Sequence, residues 1–425
     1  MISYFIKKSI LNGEIVVPHS KSQTMRAIIF ASLANGKSIV NNFLQSKDTS
    51  ALIEGCRVFK AEINILDNKL EITGVNQKID LKNNLKIDLN NSGIALRFLM
   101  GIYAIGNKNI LITGDSSLKR RPLKPLIDLL IELNVKFNFS ENFFYLPFSI
   151  KGPINKKKYL NIDGFDSQFV SSSLILLSLL NDEFHLKVNN PGEKPFVNMT
   201  LSWLNKFNAN IKNENFEEFF LKKGLDIKPF EYYVPTDFSS LLFVVVAALV
   251  TNSEVLIKNV IFDEDQKDFL VLDFLKKFNS EIFIDKKNSE ILIRKSYLKG
   301  SLEIDLNDYI DALPILAVFG CFVDSLTLKN CKNAANKESN RIDVIYNELK
   351  KMNADIYKTD DGLIIKRSNL KSAILNSYKD HRVAMSLSIA ALSIKNVSEI
   401  QDIDCIDKTF PFFKEKFLNL GADIL

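Results

Sequence analysis

Six stretches of the chain are apolar on nearly every side: residues 25–34, 95–105, 170–180, 240–250, 312–323 and 383–394. Their length of about three turns and their lack of a polar face predict buried helices. A short alternating segment follows each one, beginning at Ser38, Asn109, Glu183, Glu254, Ser325 and Asn396, and predicts a half-buried strand. Measured from Ile39 through Ile110, Phe184, Val255, Leu326 and Val397, these strands recur at steps of 71, 74, 71, 71 and 71 residues. Helices with a single apolar stripe come next, at 123–133, 269–278 and 342–352, then strands near Ala209, Ala354 and Ala422. The repeating unit therefore reads β-α-β-α-β-β, and six copies fill the chain. Three units to a domain, helices inside and sheets outside, predict an α/β protein of two similar lobes with a cleft between them. A unit of about 70 residues is longer than the roughly 20 to 50 of common solenoids.

Composition narrows the class. With 425 residues and 46% hydrophobic content the chain can bury a large core, which excludes a disordered or fibrous protein. Lys plus Arg (55) against Asp plus Glu (50) leaves a net charge of +5, too mild for a nucleic-acid scaffold. The longest apolar runs reach about half the ~20 residues that span a bilayer, and no signal-peptide pattern opens the chain. A cytoplasmic protein without nucleic-acid or membrane partners is expected. Four scattered cysteines without CxxC spacing and three distant histidines give no zinc or disulfide framework. Nine arginines stand against 46 lysines, so the chain uses lysine wherever a generic cation suffices. The arginines then mark positions where a planar fork must grip a carboxylate or phosphate.

The polar residues ahead of the twelve predicted helices are mostly ordinary N-caps such as Ser20, Ser92 and Asp237. Cations at such positions are different, because they oppose the helix dipole unless an anion lies between. Lys21, Lys119, Arg120, Arg121, Lys194, Lys337, Arg341, Arg382 and Lys408 all fall at predicted helix starts. An anionic ligand resolves that conflict.

The strings Pro18-His19-Ser20-Lys21-Ser22 with Arg26, Asn91-Ser92-Gly93-Ile94-Ala95-Leu96-Arg97, Arg120-Arg121-Pro122, Ser167-Gln168-Phe169, Asn333 with Lys337-Glu338 and Arg341, Asp380-His381-Arg382, and Lys408-Thr409-Phe410-Pro411 resemble the enolpyruvylshikimate phosphate synthase family. Order and spacing match over essentially the full length; each string is weak alone, and together they are highly specific. The resemblance implies a two-lobed, inside-out α/β barrel of six βαβαββ repeats, with lobes at 20–235 and at 1–19 plus 236–425. It implies transfer of the enolpyruvyl group of phosphoenolpyruvate to the 5-hydroxyl of shikimate 3-phosphate, releasing phosphate, on the route to chorismate and aromatic amino acids. It also implies binding sets. Lys21, Ser22, Arg26, Asp166, Ser167, Gln168, Asp311, Asn333 and Lys337 would meet shikimate 3-phosphate, with Arg26 on its carboxylate and Ser167 and Lys337 facing its phosphate. Lys21, Gly93, Arg121, Gln168, Arg341, Arg382 and Lys408 would meet phosphoenolpyruvate, the last two arginines on its carboxylate. A monomer without metal or organic cofactor is expected.

The charge arithmetic agrees, since two phosphates and two carboxylates bring roughly five to six negative charges to the seven cations Lys21, Arg26, Arg121, Lys337, Arg341, Arg382 and Lys408. The chemistry needs a proton taken from the acceptor hydroxyl and one given to the methylene carbon. Asp311, which breaks an apolar stretch, is the candidate base, Glu338 the candidate proton donor, and Lys21 can share either transfer.

The chain departs from the family at several points. His19 replaces a glycine, Phe196 a tyrosine, Ile94 a threonine and Phe98 a proline, while Asp166 and Glu193 stand where many members have serines touching the acceptor phosphate. Capping of the helix that begins near Ser167 is the role expected of Asp166. Two rival readings are a transferase acting on UDP-N-acetylglucosamine and a non-catalytic polyanion or RNA-end binder. The former family carries a cysteine in the loop that here spans 114–121, which has none; the latter predicts steep salt dependence and no phosphate release.

Overall fold

The computed structural model describes residues 2–425, which form six four-stranded sheets of common design. Each has a parallel pair extended by two antiparallel strands. In one, Tyr159–Asp163 runs parallel to Phe184–Asn189, which pairs antiparallel with Glu218–Lys222, itself antiparallel to Asn210–Glu214. Ser301–Asp305, Ser325–Lys329, Leu363–Lys366 and Asp355–Lys358 repeat the pattern. Alternate residues of such strands are buried, as in Phe184–Asn189, so each sheet covers a core with one face only.

Chain order is offset from the repeat. The first strand of the first sheet is Glu231–Tyr233, parallel to Lys37–Asn41. That of the fourth is Asn12–Ile15, parallel to Glu254–Ile257. Ser3–Lys7 enters the sixth sheet between Ser398–Gln401 and Asp423–Ile424. The chain accordingly forms two compact units, His19–Val234 and Met1–Pro18 with Pro235–Leu425.

Each unit has its own core. Helices Lys21–Leu33, Gly93–Ile105 and Ser167–Leu179 supply one, and Phe238–Val250, Leu313–Gly320 and His381–Ala391 the other. Every residue of Phe238–Val250 is buried, as a helix without a polar face requires. At about 1.5–3 kcal/mol for each large side chain taken out of water, such helices dominate the stability of their unit. The stretch expected as one helix over 312–323 instead opens as a 3-10 turn, Ile310–Ala312, and ends at Gly320, where a β-carbon would lie 2.8 Å from Ile365 Cβ. The helix expected over 269–278 likewise begins as a 3-10 turn, Lys267–Leu270, and is α-helical only over Val271–Lys276.

The second helix of every unit is followed by a residue in the left-handed region: Lys60, Asn134, Asn208, Asn279, Asn353 and Gly421. Asparagine and glycine tolerate that conformation, and lysine at φ 72° does not. Lys60→Asn is therefore expected to raise the unfolding free energy by about 0.5 kcal/mol, because the ion pair lost with Asp80 is exposed and contributes little. A denaturant midpoint that fell would show that this pair outweighs the backbone strain.

Candidate active site

The residues singled out from the sequence fall into two clusters, one in each unit. In the unit built from residues 235–425 and the N-terminal strands, the hub is Arg341, the first residue of helix Arg341–Lys351 and only 1% exposed. Its Nε donates to Asp380 Oδ2 at 2.8 Å, its Nη1 to Asp311 Oδ1 at 2.7 Å and its Nη2 to Glu338 Oε2 at 2.9 Å. Each of those carboxylates has further work. Asp311 Oδ2 pairs with Arg382 Nη2 at 2.8 Å, and Glu338 Oε1 accepts from Lys408 Nζ at 2.7 Å. Asp380 caps helix His381–Ala391 by accepting from the Arg382 amide at 3.0 Å, and also accepts from Ser339 Oγ at 3.1 Å. Three carboxylates thus meet three cations in a nearly dry cluster. Burial opposes the charge of Arg341, but Asp380, Glu338 and Asp311 overcome it and hold its pKa above the ordinary arginine value. Asn333 lies in the 3-10 helix Lys332–Asn336, and Lys337 follows it, one residue before Glu338.

Glu338, Asp380 and His381 offer ligand atoms within 4.8 Å of one another. Two of the three are bonded to the Arg341 guanidinium, so a metal ion there would have to compete with a buried cation.

The other unit holds the second cluster. Lys21 opens helix Lys21–Leu33, and its Nζ lies 3.6 Å from Asp48 Oδ2. One turn later Arg26, 2% exposed, donates to Thr200 Oγ1 (2.9 Å) and to the carbonyls of Ser22 (3.1 Å) and Phe196 (2.8 Å), with Phe98 beneath its guanidinium. Those bonds fix the fork relative to Ser22. Gly93 is the first residue of helix Gly93–Ile105, capped by Ser92. A β-carbon on it would come within 2.6 Å of Arg97 Nη1 and 2.7 Å of Arg121 Nη1, so only glycine admits both guanidinium groups to this helix end. Arg121 donates to Asn91 Oδ1 at 2.7 Å, and Arg97 to Gln168 Oε1 at 3.2 Å. Ser167 and Gln168 open helix Ser167–Leu179, whose cap is Asp166: its Oδ1 accepts from the Gln168 amide at 2.9 Å, and its Oδ2 lies 3.4 Å from Arg97 Nη2. Asp166 thus caps, as expected, and is also neutralised by an arginine that the sequence reading left without a role.

Two inferences from helix starts need correction. Lys119 and Arg120 lie in the 3-10 turn Leu118–Arg120 with Arg121 directly after it, Lys337 follows the 3-10 helix Lys332–Asn336, and Lys408 ends the 3-10 helix Ile403–Lys408, so none of the five opposes a dipole. At Lys21 and Arg341, and at Arg382 one residue into its helix, the compensating anions include the chain's own Asp48, Asp311, Glu338 and Asp380. Sequence spacing gives no sign of such partners, which lie 27 to 71 positions away, apart from Glu338 beside Arg341. Asp311 caps no helix, because both its oxygens are bonded to arginines.

Asp268 was also missed. It is 6% exposed, its Oδ1 has no hydrogen-bond partner among the described residues, and burial, reinforced by Asp311, raises its pKa to about 7 despite Arg382 and the Ser239 hydroxyl. The folded protein therefore retains a proton that the unfolded chain gives up near the ordinary value of 3.8. Stability from this group is complete below that value and is lost as pH rises through about 7. Asp268→Asn is expected to flatten the fall in denaturant midpoint between about pH 4 and pH 7; parallel curves for the two proteins would contradict it.

A family model for EPSP synthase (3-phosphoshikimate 1-carboxyvinyltransferase) matches residues 6–417. The 3-phosphoshikimate 1-carboxyvinyltransferase of Chlamydia caviae is 39% identical over 100% of this chain and 95% of its own length. That of Acetivibrio thermocellus is 36% identical over 99% of this chain and 98% of its own. An EPSP synthase structure from Acinetobacter baumannii superposes with a TM-score of 0.83 at 24% identity, covering 100% of this chain and 99% of that one, and so shares the fold. Among the described residues no helix is long and apolar enough to cross a membrane. With residues 6–417 matched by the family model and relatives 36% and 39% identical along nearly the full chain, the chain belongs to the EPSP synthase family.

Proposed function

We propose that the protein transfers the enolpyruvyl group of phosphoenolpyruvate to the 5-hydroxyl of shikimate 3-phosphate by addition and elimination. The acceptor hydroxyl loses its proton as its oxygen bonds to C2, and C3 gains a proton, giving a tetrahedral intermediate. That intermediate then loses a proton from C3 and expels phosphate, leaving the enol ether. Asp311 takes the hydroxyl proton and Glu338 serves the methylene carbon, with Lys21 able to share either transfer.

The observation that carries this reading is the Arg341 hub, which bonds Asp311 and Glu338 to different nitrogens of one guanidinium at 2.7 and 2.9 Å. Two proton-transfer groups are thereby held at a fixed separation by a rigid fork. Arg382 and Lys408 sit on the far oxygens of those carboxylates. A substrate anion that draws either cation away leaves its carboxylate more basic, so binding itself prepares the proton transfers. In the other unit, Arg121 and the amide end at Gly93 supply phosphate-binding donors for phosphoenolpyruvate, while Arg26, Ser22, Ser167 and Gln168 serve the acceptor. Asn333 and Lys337 add contacts to the acceptor's ring hydroxyls and phosphate. The protein works as a monomer in the cytoplasm, without nucleic acid or membrane.

Phosphate release tests the reading. Release is expected with phosphoenolpyruvate plus shikimate 3-phosphate and not with phosphoenolpyruvate plus UDP-N-acetylglucosamine; the reverse pattern would transfer the protein to the rival acceptor.

A further inference from the structure

The amide end of helix Ser167–Leu179 already holds an anion that belongs to the chain. Glu193 Oε2 accepts from the Ser167 hydroxyl at 2.7 Å and from the Ser167 amide at 3.4 Å. The side chain is 2% exposed, and its residue sits in the left-handed region at φ 50°, ψ 42°, a conformation costly for any residue with a β-carbon. A buried carboxylate on a left-handed residue is thus held against Ser167.

The charged groups next to Ser167 in the chain include a second carboxylate. Asp166 lies on the adjoining turn and shares Arg97 with Gln168. Lys194, next in sequence, sets its ammonium 5.9 Å from the Phe216 ring centroid, and Arg26 spends Nη2 on the Phe196 carbonyl of the same helix start. An ionised Glu193 and a phosphate dianion cannot both accept from one hydroxyl and one amide at these distances, because like charges in a poorly hydrated site repel strongly.

We propose that Glu193 is a built-in counter-anion that gives up its charge when the acceptor's phosphate arrives, coupling acceptor binding to the uptake of one proton. This rests on the reading that Ser167 faces that phosphate. The balance is simple: one proton passes from solvent to Glu193, and no covalent bond to substrate changes. Once neutral, the carboxyl carries one O–H, so it turns from a competitor into a donor toward a phosphate oxygen. Acceptor affinity should fall by up to tenfold per unit of pH while Glu193 is ionised in the free protein, and phosphoenolpyruvate affinity should not follow it.

Calorimetric titration of the full chain with shikimate 3-phosphate at about pH 8, where the ligand phosphate is already a dianion, in two buffers of different ionisation enthalpy, counts the protons. The natural protein is expected to take up close to one. Glu193→Gln, which keeps the shape and supplies an N–H donor without charge, is expected to take up none and to bind at least about tenfold more tightly. Equal proton counts in the two proteins, or weaker binding by the variant, would overturn the counter-anion role while leaving the transferase reading intact. Failure of the natural protein to bind this acceptor at all would sink the acceptor assignment and this proposal with it. Should the variant not fold, an uptake near zero in the natural protein is already decisive against the idea.

Discussion

Arg341→Met is expected to abolish phosphate release and to cost about 3–5 kcal/mol of stability. The guanidinium is 1% exposed and satisfies Asp380, Asp311 and Glu338, whose side chains are 0%, 21% and 10% exposed. Methionine fills much of the space but returns none of the hydrogen bonds, leaving Asp380 buried with an uncompensated charge. Arg382 and Lys408 would be drawn onto the remaining carboxylates, which removes the cations assigned to phosphoenolpyruvate. Arg341→Lys separates charge from geometry: it keeps one positive charge, but a single ammonium cannot reach three carboxylates in a plane. Its stability should recover in part while turnover stays at least about a hundredfold down. Urea unfolding and a phosphate-release assay decide the matter; a methionine variant within about 1 kcal/mol of the natural protein would show that the hub is not a structural keystone.

Asp311→Asn should act on rate and leave binding nearly untouched. Both oxygens of Asp311 are bonded to arginines, at 2.7 Å to Arg341 and 2.8 Å to Arg382, so the variant gives up one of those bonds along with the ability to take a proton. Asparagine preserves the shape and removes that ability. A loss of roughly 10²–10⁴ in kcat is expected, as for a positioned general base. Arg382, no longer held by a full negative charge, becomes easier for a substrate carboxylate to recruit, so KM for phosphoenolpyruvate should stay level or fall. A variant with near-normal kcat and a raised KM would reassign Asp311 to binding and leave Glu338 or Lys21 to move the proton.

The repeat was legible because buried helices and half-buried strands write different periods into the sequence, and Ile39, Ile110, Phe184, Val255, Leu326 and Val397 keep step. The offset closure was not. Glu231–Tyr233 and Asn12–Ile15 are three and four residues long, and their partners lie some 190 and 240 positions away, so nothing local marks them. The charged residues of the site stood out for a related reason: Asp311 interrupts an apolar run, and scarce arginines mark fixed geometry. What the chain could not disclose is who pairs with whom. Asp380 reads as a helix cap, which it is, yet it also holds Arg341 from 39 residues away. Arg97 reads as part of a binding string, yet two of its bonds go to Asp166 and Gln168. Such convergence is decided by how helices pack, and spacing along one helix carries no information about it.

The N-terminal strands have a consequence for biosynthesis. Residues 19–234 contain all three of their sheets, so this half can complete itself while the remainder is still being translated. Ser3–Lys7, although synthesised long before them, fits between Ser398–Gln401 and Asp423–Ile424, and must wait for those strands to emerge. Protease pulses on stalled nascent chains should find residues 19–234 resistant early and Ser3–Lys7 cleavable until its partner strands have emerged.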